Sequence, residues 1–329
     1  MSKQHSAIVK GLAILLMVIY HLPRILAPDS LQPAVAGFLG NISYPISFFV
    51  IVTGYGLYYA YHKGYLDWKY LLRRTARLYV SFWLVIAIFV FGIGIWLHPG
   101  QFDMTPYRIF TNLIGWRWDY CQFTWFLFTY ILLTFCTKWI IKAIERLGNI
   151  ASLILAYLLW GAMAFLISRF YDSFLRHHYY VYHIVLVGEM VSFITPGIIM
   201  ARTVLTGKRL TWSKIEGKNV VVLLLLAAVF VIKGLALLPI FPYFAAVVVW
   251  LIAHLKVGAI SRHTFIPLGN LSMMMWFCHG FLGPYLFLDY YLMIKSPLLA
   301  FVIWFTISLI VAWLLMPISN RISKALKLI

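Results

Sequence analysis

Residues 7–25 read AIVKGLAILLMVIYHLPRI. This is one apolar run, broken only by Lys10 and His21 and closed by Pro23-Arg24. A helix crossing a hydrocarbon core about 30 Å thick needs roughly 20 largely apolar residues, which is what this stretch supplies. Lys3 and Lys10 precede or enter it as they would a secretory signal, but no small-residue cleavage site follows. The segment therefore reads as a retained first membrane helix.

The rest of the chain repeats that pattern. Of 329 residues, 63% are hydrophobic and 11% charged, against about 25% charged in ordinary soluble domains. Water would not solvate such a surface, so a soluble globular fold is excluded and the bilayer becomes the solvent. Ten spans are expected, at about 7–25, 40–61, 76–97, 123–141, 150–168, 181–201, 219–236, 238–255, 266–288 and 297–317. The eighth is short and begins at Pro239 and Pro242, so it is the least secure crossing.

Charge sets the expected orientation. With the N-terminus inside, the inner segments hold 20 of the 27 Lys and Arg residues. The outer ones keep Arg24, Arg108, Arg117, Arg169, Arg176, Lys233 and Lys295, together with Asp29, Asp103, Asp119, Asp172 and Asp289. This positive-inside asymmetry predicts an all-α bundle of about ten helices with both termini cytoplasmic. It also explains the net charge of +18 without nucleic acid, because the basic residues alternate between gaps and do not gather on a binding face. Cys121, Cys136 and Cys278 lack metal-ligand spacing, and neither a disulfide framework nor a metal site is expected. No linker divides the chain, which reads as a single transmembrane domain over 1–329, and no internal repeat marks an inverted-repeat transporter. The gap from His98 to Gln122, rich in Trp and Tyr, reads as an interfacial loop, as a cap on the bundle or as the lining of an entrance from outside.

Ionisable side chains inside spans are costly and point to function. Lys10 and His21 are eleven positions apart, so they share one helix face at a separation of about 16 Å. One reading has an anionic ligand reaching from the inner mouth at Lys10 to a general base at His21. The other has Lys10 snorkelling to headgroups and His21 bonded to a neighbouring helix. Arg74 and Arg77, three apart at the start of the third span, suit either phosphate or anionic lipid. Glu189 has no cation four residues on, so it is neutral, water-exposed or paired across helices. His279 fits a second channel residue and a packing hydrogen bond equally.

With these residues in view, the chain resembles the membrane-bound acyltransferase-3 family. Ile8–Leu22, IVKGLAILLMVIYHL, is similar to that family's first helix, in which a basic residue precedes a histidine by ten intervening positions. The family usually has Arg where this chain has Lys10, and lysine keeps the charge but loses the bidentate fork. Ser47-Phe48-Phe49-Val50-Ile51-Val52-Thr53-Gly54-Tyr55 resembles its second-helix phrase, Arg74-Thr75-Ala76-Arg77 its Arg-x-x-Arg motif, and Trp125-Phe126-Leu127 its later Trp-Phe-Leu. Pro196–Arg202 and Leu268–His279 fill the last two recurring positions in order.

The resemblance implies O-acyl transfer, most often of acetyl from cytoplasmic acetyl-CoA to hydroxyls of cell-envelope glycans, in a bacterial plasma membrane. It implies His21 as the catalytic residue and Lys10, Arg74 and Arg77 as the acyl-CoA phosphate holders; His279 and Trp125, within its phrases, and Glu189, singled out by its cost inside a span, are further channel candidates. The esterase-like domain that members often carry at the C-terminus has no counterpart in the sequence. The competing reading from another class is a proton-coupled transporter or channel with a His/Glu relay, which would have no need of an Arg-x-x-Arg motif.

Overall fold

A computed structural model describes residues 1–27, 30–42, 44–236 and 242–328; Asp29 and Pro239 lie outside the described residues. Among the described residues every regular element is helical. The order is α1 (Lys3–His21), α2 (Pro33–Ile42), α3 (Pro45–His62), α4 (Trp68–Ile86), α5 (Ile95–Leu97), α6 (Pro106–Leu113), α7 (Phe126–Leu147), α8 (Asn149–Phe170), α9 (Tyr179–Leu205), α10 (Asn219–Gly234), α11 (Phe244–Ile252), α12 (Ile266–Gly280), α13 (Leu288–Leu292) and α14 (Pro297–Ala325). Wider π-helical turns join α4 to α5 at Ala87–Gly94 and flank α12 at Ser261–Phe265 and Phe281–Tyr285.

The chain is an all-α polytopic membrane protein. Among the described residues, eight helical stretches are long and apolar enough to cross: Lys3–Arg24, Pro33–His62, Trp68–Leu97, Gln122–Leu147, Asn149–Phe170, Tyr179–Leu205, Ser261–Tyr285 and Pro297–Ala325. Within the two further apolar segments expected at 219–236 and 238–255, the described residues form shorter helices, 16 residues in α10 and 9 in α11. At 1.5 Å per residue, α10 reaches about 24 Å, less than the hydrocarbon thickness. Helix α11 starts only beyond Pro242, since proline inside a helix removes a donor and clashes with the preceding turn.

The outward side chains match a lipid solvent. Leu155, Leu158 and Phe165 on α8, Val220, Leu223 and Leu224 on α10, and Leu298, Trp313 and Leu314 on α14 are all exposed. In water such a surface would aggregate.

Two compact units are distinguished: Met1–Tyr20, Ala34–Asp67 and Leu132–Asn270 form the first, and His21–Pro33, Trp68–Ile131 and Leu271–Ile329 the second. In the first unit, Ile8, Val9, Ala13 and Leu16 of α1 pack with Phe48 and Ile51 of α3 and with Phe244, Val248 and Val249 of α11. Lipid gives helices no hydrophobic reason to associate, so close backbone approach at small residues matters more than in water. Gly197 of α9 lies against the Ile51 carbonyl, and Gly269 of α12 against that of Ala7. A methyl group at either glycine would collide with main chain.

In the second unit, α4 and α14 are joined by the buried Ser81 and Ser319 hydroxyls, 2.7 Å apart. Phe82 of α4 packs on Phe277 of α12 with centroids 5.4 Å apart. The turn after α12 is kinked at Gly283 (φ −118°, ψ −105°), followed by Pro284, which has no N–H to donate. The carbonyls of Tyr285 and Leu286 then accept from Gln101 Nε2 at 3.1 Å and pair with His98 Nε2 at 3.0 Å. The loop after α5 is thereby fixed to this turn.

Candidate active site

The first helix ends on His21, and a single 3-10 turn, Leu22–Arg24, follows it because Pro23 cannot continue the helix. The imidazole is half-buried. It stacks on Phe123, ring centroids 3.8 Å apart and planes 14° from parallel. Phe123 also stacks on His279, at 5.0 Å and 16°. The two imidazoles are 5.5 Å apart, tilted by 30°. Three rings from three distant parts of the sequence thus meet in one cluster of the second unit.

Two of the three residues are held through their main chain. Trp276 Nε1–H donates to the Phe123 carbonyl at 3.0 Å, and Trp304 Nε1–H donates to the His279 carbonyl at 2.8 Å. His279 is fully buried, and its Nδ1 lies 2.8 Å from the Trp276 carbonyl and 3.2 Å from that of Met275. Carbonyl oxygens only accept, so Nδ1 carries the proton and Nε2 of the neutral ring is left as an acceptor. That Nε2 is buried with no hydrogen-bond partner among the described residues.

The polar edge of the cluster is Arg24. Its guanidinium lies over the Phe123 ring, 5.4 Å from the centroid, and donates to Gln122 Oε1 at 3.0 Å. The Gln122 backbone N–H donates to the Tyr285 hydroxyl at 2.7 Å.

The loop after α5 decides where Phe123 goes. Asp119 accepts from Arg117 Nε at 2.7 Å and from Arg108 Nη1 at 2.9 Å. Burial on its own raises the Asp119 carboxyl, but these guanidinium bonds, helped by Asn112, hold it below the usual carboxylate range. Asn112 Oδ1 takes the Tyr120 N–H at 3.1 Å, and the Tyr120 hydroxyl donates to the Asp103 carbonyl at 2.7 Å. Tyr120, Cys121 and Phe123 are consequently buried. The segment is folded on itself through Asp119, Asn112 and Tyr120. Burial pushes the Cys121 thiol up to about 12, so it stays protonated.

Arg74, half-buried on α4, donates from Nη2 to the Tyr130 hydroxyl and stands 5.9 Å from that ring's centroid. Tyr130 packs on Phe126 at 5.6 Å, and Phe126 packs on Trp276 at 5.7 Å. A run of aromatic rings therefore leads from Arg74 through Tyr130 and Phe126 to Trp276, whose Nε1–H bonds the main chain of Phe123, the ring on which His21 stacks. Arg77, one turn further along α4, is exposed, so the two arginines share a helix while differing in burial.

The other candidates sit elsewhere. Lys10 is half-buried on α1 and belongs to the first unit. Glu189 of α9, also in the first unit and 8% exposed, accepts from the Tyr44 hydroxyl at 2.9 Å. The bond joins α9 to the residue that precedes α3. Trp125 is half-buried with its edge on Phe126 at 5.7 Å, and no contact with the imidazoles is described for it. Among the described residues no group of three His, Cys, Asp or Glu is gathered to hold a metal.

Sequence reading missed Phe123, Tyr130, Trp276 and Trp304. They are aromatic residues among many, and nothing in their spacing distinguishes them from lipid-facing ones.

No curated protein and no solved structure matches the chain. The family comparison matches residues 7–317 to the acyltransferase domain of the acyltransferase-3 family, a stretch that begins three residues before Lys10 and takes in Arg74, Arg77, His21 and His279. The chain therefore belongs to the acyltransferase-3 family and is a membrane acyltransferase.

Proposed function

We propose that the protein transfers an acyl group, acetyl by the family's frequency, from cytoplasmic acyl-CoA to a hydroxyl of a cell-envelope glycan in the plasma membrane of a bacterium. The observation that carries this reading is the placement of His21: an imidazole at the end of the first helix, with its ring fixed on Phe123, in a chain whose family transfers acyl groups.

Coenzyme A is a polyanion on a long flexible arm. Arg74 and Arg77 supply guanidinium groups suited to its phosphates, and Lys10 adds a cation on the helix that carries His21. Exposed Arg77 meets phosphate at low desolvation cost, while Arg74, braced by Tyr130, is the more oriented of the two. The aromatic run from Tyr130 to Trp276 offers an apolar wall for the pantetheine arm.

In the reaction, the acceptor hydroxyl loses its proton to an imidazole nitrogen of His21 as its oxygen attacks the thioester carbonyl carbon. The carbon–sulfur bond then breaks, and the departing thiolate takes the proton back from the imidazolium. A positioned base of this kind contributes about 10² to 10⁴ in rate.

The test uses the purified full chain in bilayers with radiolabelled acetyl-CoA and candidate glycans. Protein-dependent appearance of label on a glycan hydroxyl, lost in His21→Ala, is the expected result. Full activity in that variant would overturn the assignment of His21. Absence of thioester consumption with every acceptor would overturn acyl-CoA as donor.

A further inference from the structure

Inside the cluster, His279 stands out as a polar group the reaction above does not use. It is fully buried. Its Nδ1–H is committed to main-chain carbonyls one turn back on its own helix. That bond fixes the tautomer and leaves the Nε2 lone pair unsatisfied among the described residues. Leaving a buried acceptor unpaired costs about 1–3 kcal/mol. If the position required packing alone, a phenylalanine would fill it without that cost.

The ring geometry says which donor is at hand. His21 stacks on Phe123 at 3.8 Å, His279 at 5.0 Å, and the imidazoles are 5.5 Å apart. On opposite faces of Phe123 they would be about 7 Å apart, twice a van der Waals stacking gap. They therefore sit on the same side, meeting at their rims rather than face to face. Two imidazoles sharing an N–H···N bond of about 3 Å, with a ring radius added at each end, have centroids a little over 5 Å apart. The observed separation is within a few tenths of an ångström of that value, and catalytic hydrogen bonds are commonly long before substrate arrives.

We infer that His279 is the positioning residue of the catalytic histidine: its Nε2 accepts the N–H of His21, fixes the tautomer of that ring and leaves the other His21 nitrogen as the base that meets the acceptor hydroxyl. The inference rests on the proposed role of His21 and extends it to a pair. A second imidazole here does the orienting work that a carboxylate does in other base–orienter pairs, without placing a net negative charge in a buried site. When His21 takes the proton it becomes a cation, and the Nε2 lone pair, already aimed at its N–H, strengthens its bond at that moment. Phe123 covers one face of His21, and a bond to His279 opposes rotation of the imidazole within the plane of that stack.

The test combines nitrogen NMR of histidine-labelled full-length protein in bilayers with kinetics of two variants. A nitrogen–nitrogen coupling between His21 and His279 Nε2, with His21 in one neutral tautomer, is expected. His279→Phe, which keeps the ring volume and removes the acceptor, should mix the His21 tautomers and lower kcat roughly 10- to 100-fold with KM for acetyl-CoA unchanged. His279→Gln, whose carbonyl oxygen can accept the same bond, should recover part of the loss. Protonated His279 Nε2, or His279→Phe at wild-type kcat, would overturn the inference. Coupling seen in a protein that turns over no acyl-CoA leaves the His21–His279 bond standing and refutes the proposed function instead. The wild-type NMR measurement keeps the inference falsifiable if His279→Phe fails to fold.

Discussion

Arg74 is tied to Tyr130 twice over, by a hydrogen bond to the phenol oxygen and by a guanidinium 5.9 Å from the ring centroid. A guanidinium held in this way has lost much of its rotamer freedom before any ligand arrives, so less entropy opposes phosphate binding. Tyr130→Phe keeps the ring and removes the acceptor. We expect KM for acyl-CoA to rise about 5-fold, the equivalent of one hydrogen bond of about 1 kcal/mol, with kcat unchanged. Steady-state kinetics on reconstituted protein decide this, and a fall in kcat at constant KM would contradict it.

Arg74→Ala removes the charge as well as the brace and leaves the Tyr130 hydroxyl without its donor. Its effect on KM should exceed that of Tyr130→Phe by at least about 10-fold, the lost charge-assisted phosphate bond being worth roughly 1.5–3 kcal/mol. Titration of the variants with a non-hydrolysable acyl-CoA analogue measures the difference directly.

Phe123→Leu takes away the ring on which both imidazoles stack. An aromatic pair is worth about 0.5–1.5 kcal/mol beyond its area, so the fall in thermal midpoint should be modest. Transfer should fall far more, because His21 loses its fixed plane. A variant with intact kcat would show that the stack does not orient the base.

Asp119 ties together Arg108 and Arg117 in the segment that delivers Phe123. Its carboxyl is held below the ordinary range, so its contribution to stability is present above the unfolded-state pKa near 3.8 and is lost as pH falls through the lower folded-state value. Asp119→Asn should therefore cost about 1 kcal/mol at neutral pH and nothing at strongly acid pH. Limited proteolysis of the 98–121 segment against pH measures both arms.

Gly197→Ala and Gly269→Ala should each prevent correct assembly of the first unit. The added methyl would meet the Ile51 or Ala7 main chain rather than a side chain able to turn aside. Overpacking costs about 1–3 kcal/mol even where side chains can adjust, and more is expected here. The readout is the monodisperse fraction after detergent extraction.

Much of this was legible in the chain itself. Hydropathy alone marks α1, α3, α8 and α14 as bilayer segments, because around 20 apolar residues in a row have no other stable solvent. Lys10, His21 and Glu189 stand out for the same reason: a charge or imidazole among aliphatics is costly. Glycines 54, 197 and 269 belong to phrases that resemble the family's, and all three prove to be main-chain contact points. The shortness of α10 and α11 was harder to read, since hydropathy alone does not mark where a helix ends.

What the sequence determined by itself is the solvent, the helical class and a few costly side chains within it, all of which follow from composition and local periodicity. Only the tertiary structure decided which of those side chains act together. His21 and His279 are separated by most of the chain, and Phe123 between them carries no charge to announce it. Their meeting depends on where an ion-paired loop around Asp119 directs the backbone and on the Trp276 and Trp304 bonds that hold the main chain of Phe123 and His279. Contacts of that kind are set by packing between distant segments, and no local pattern of residues encodes them.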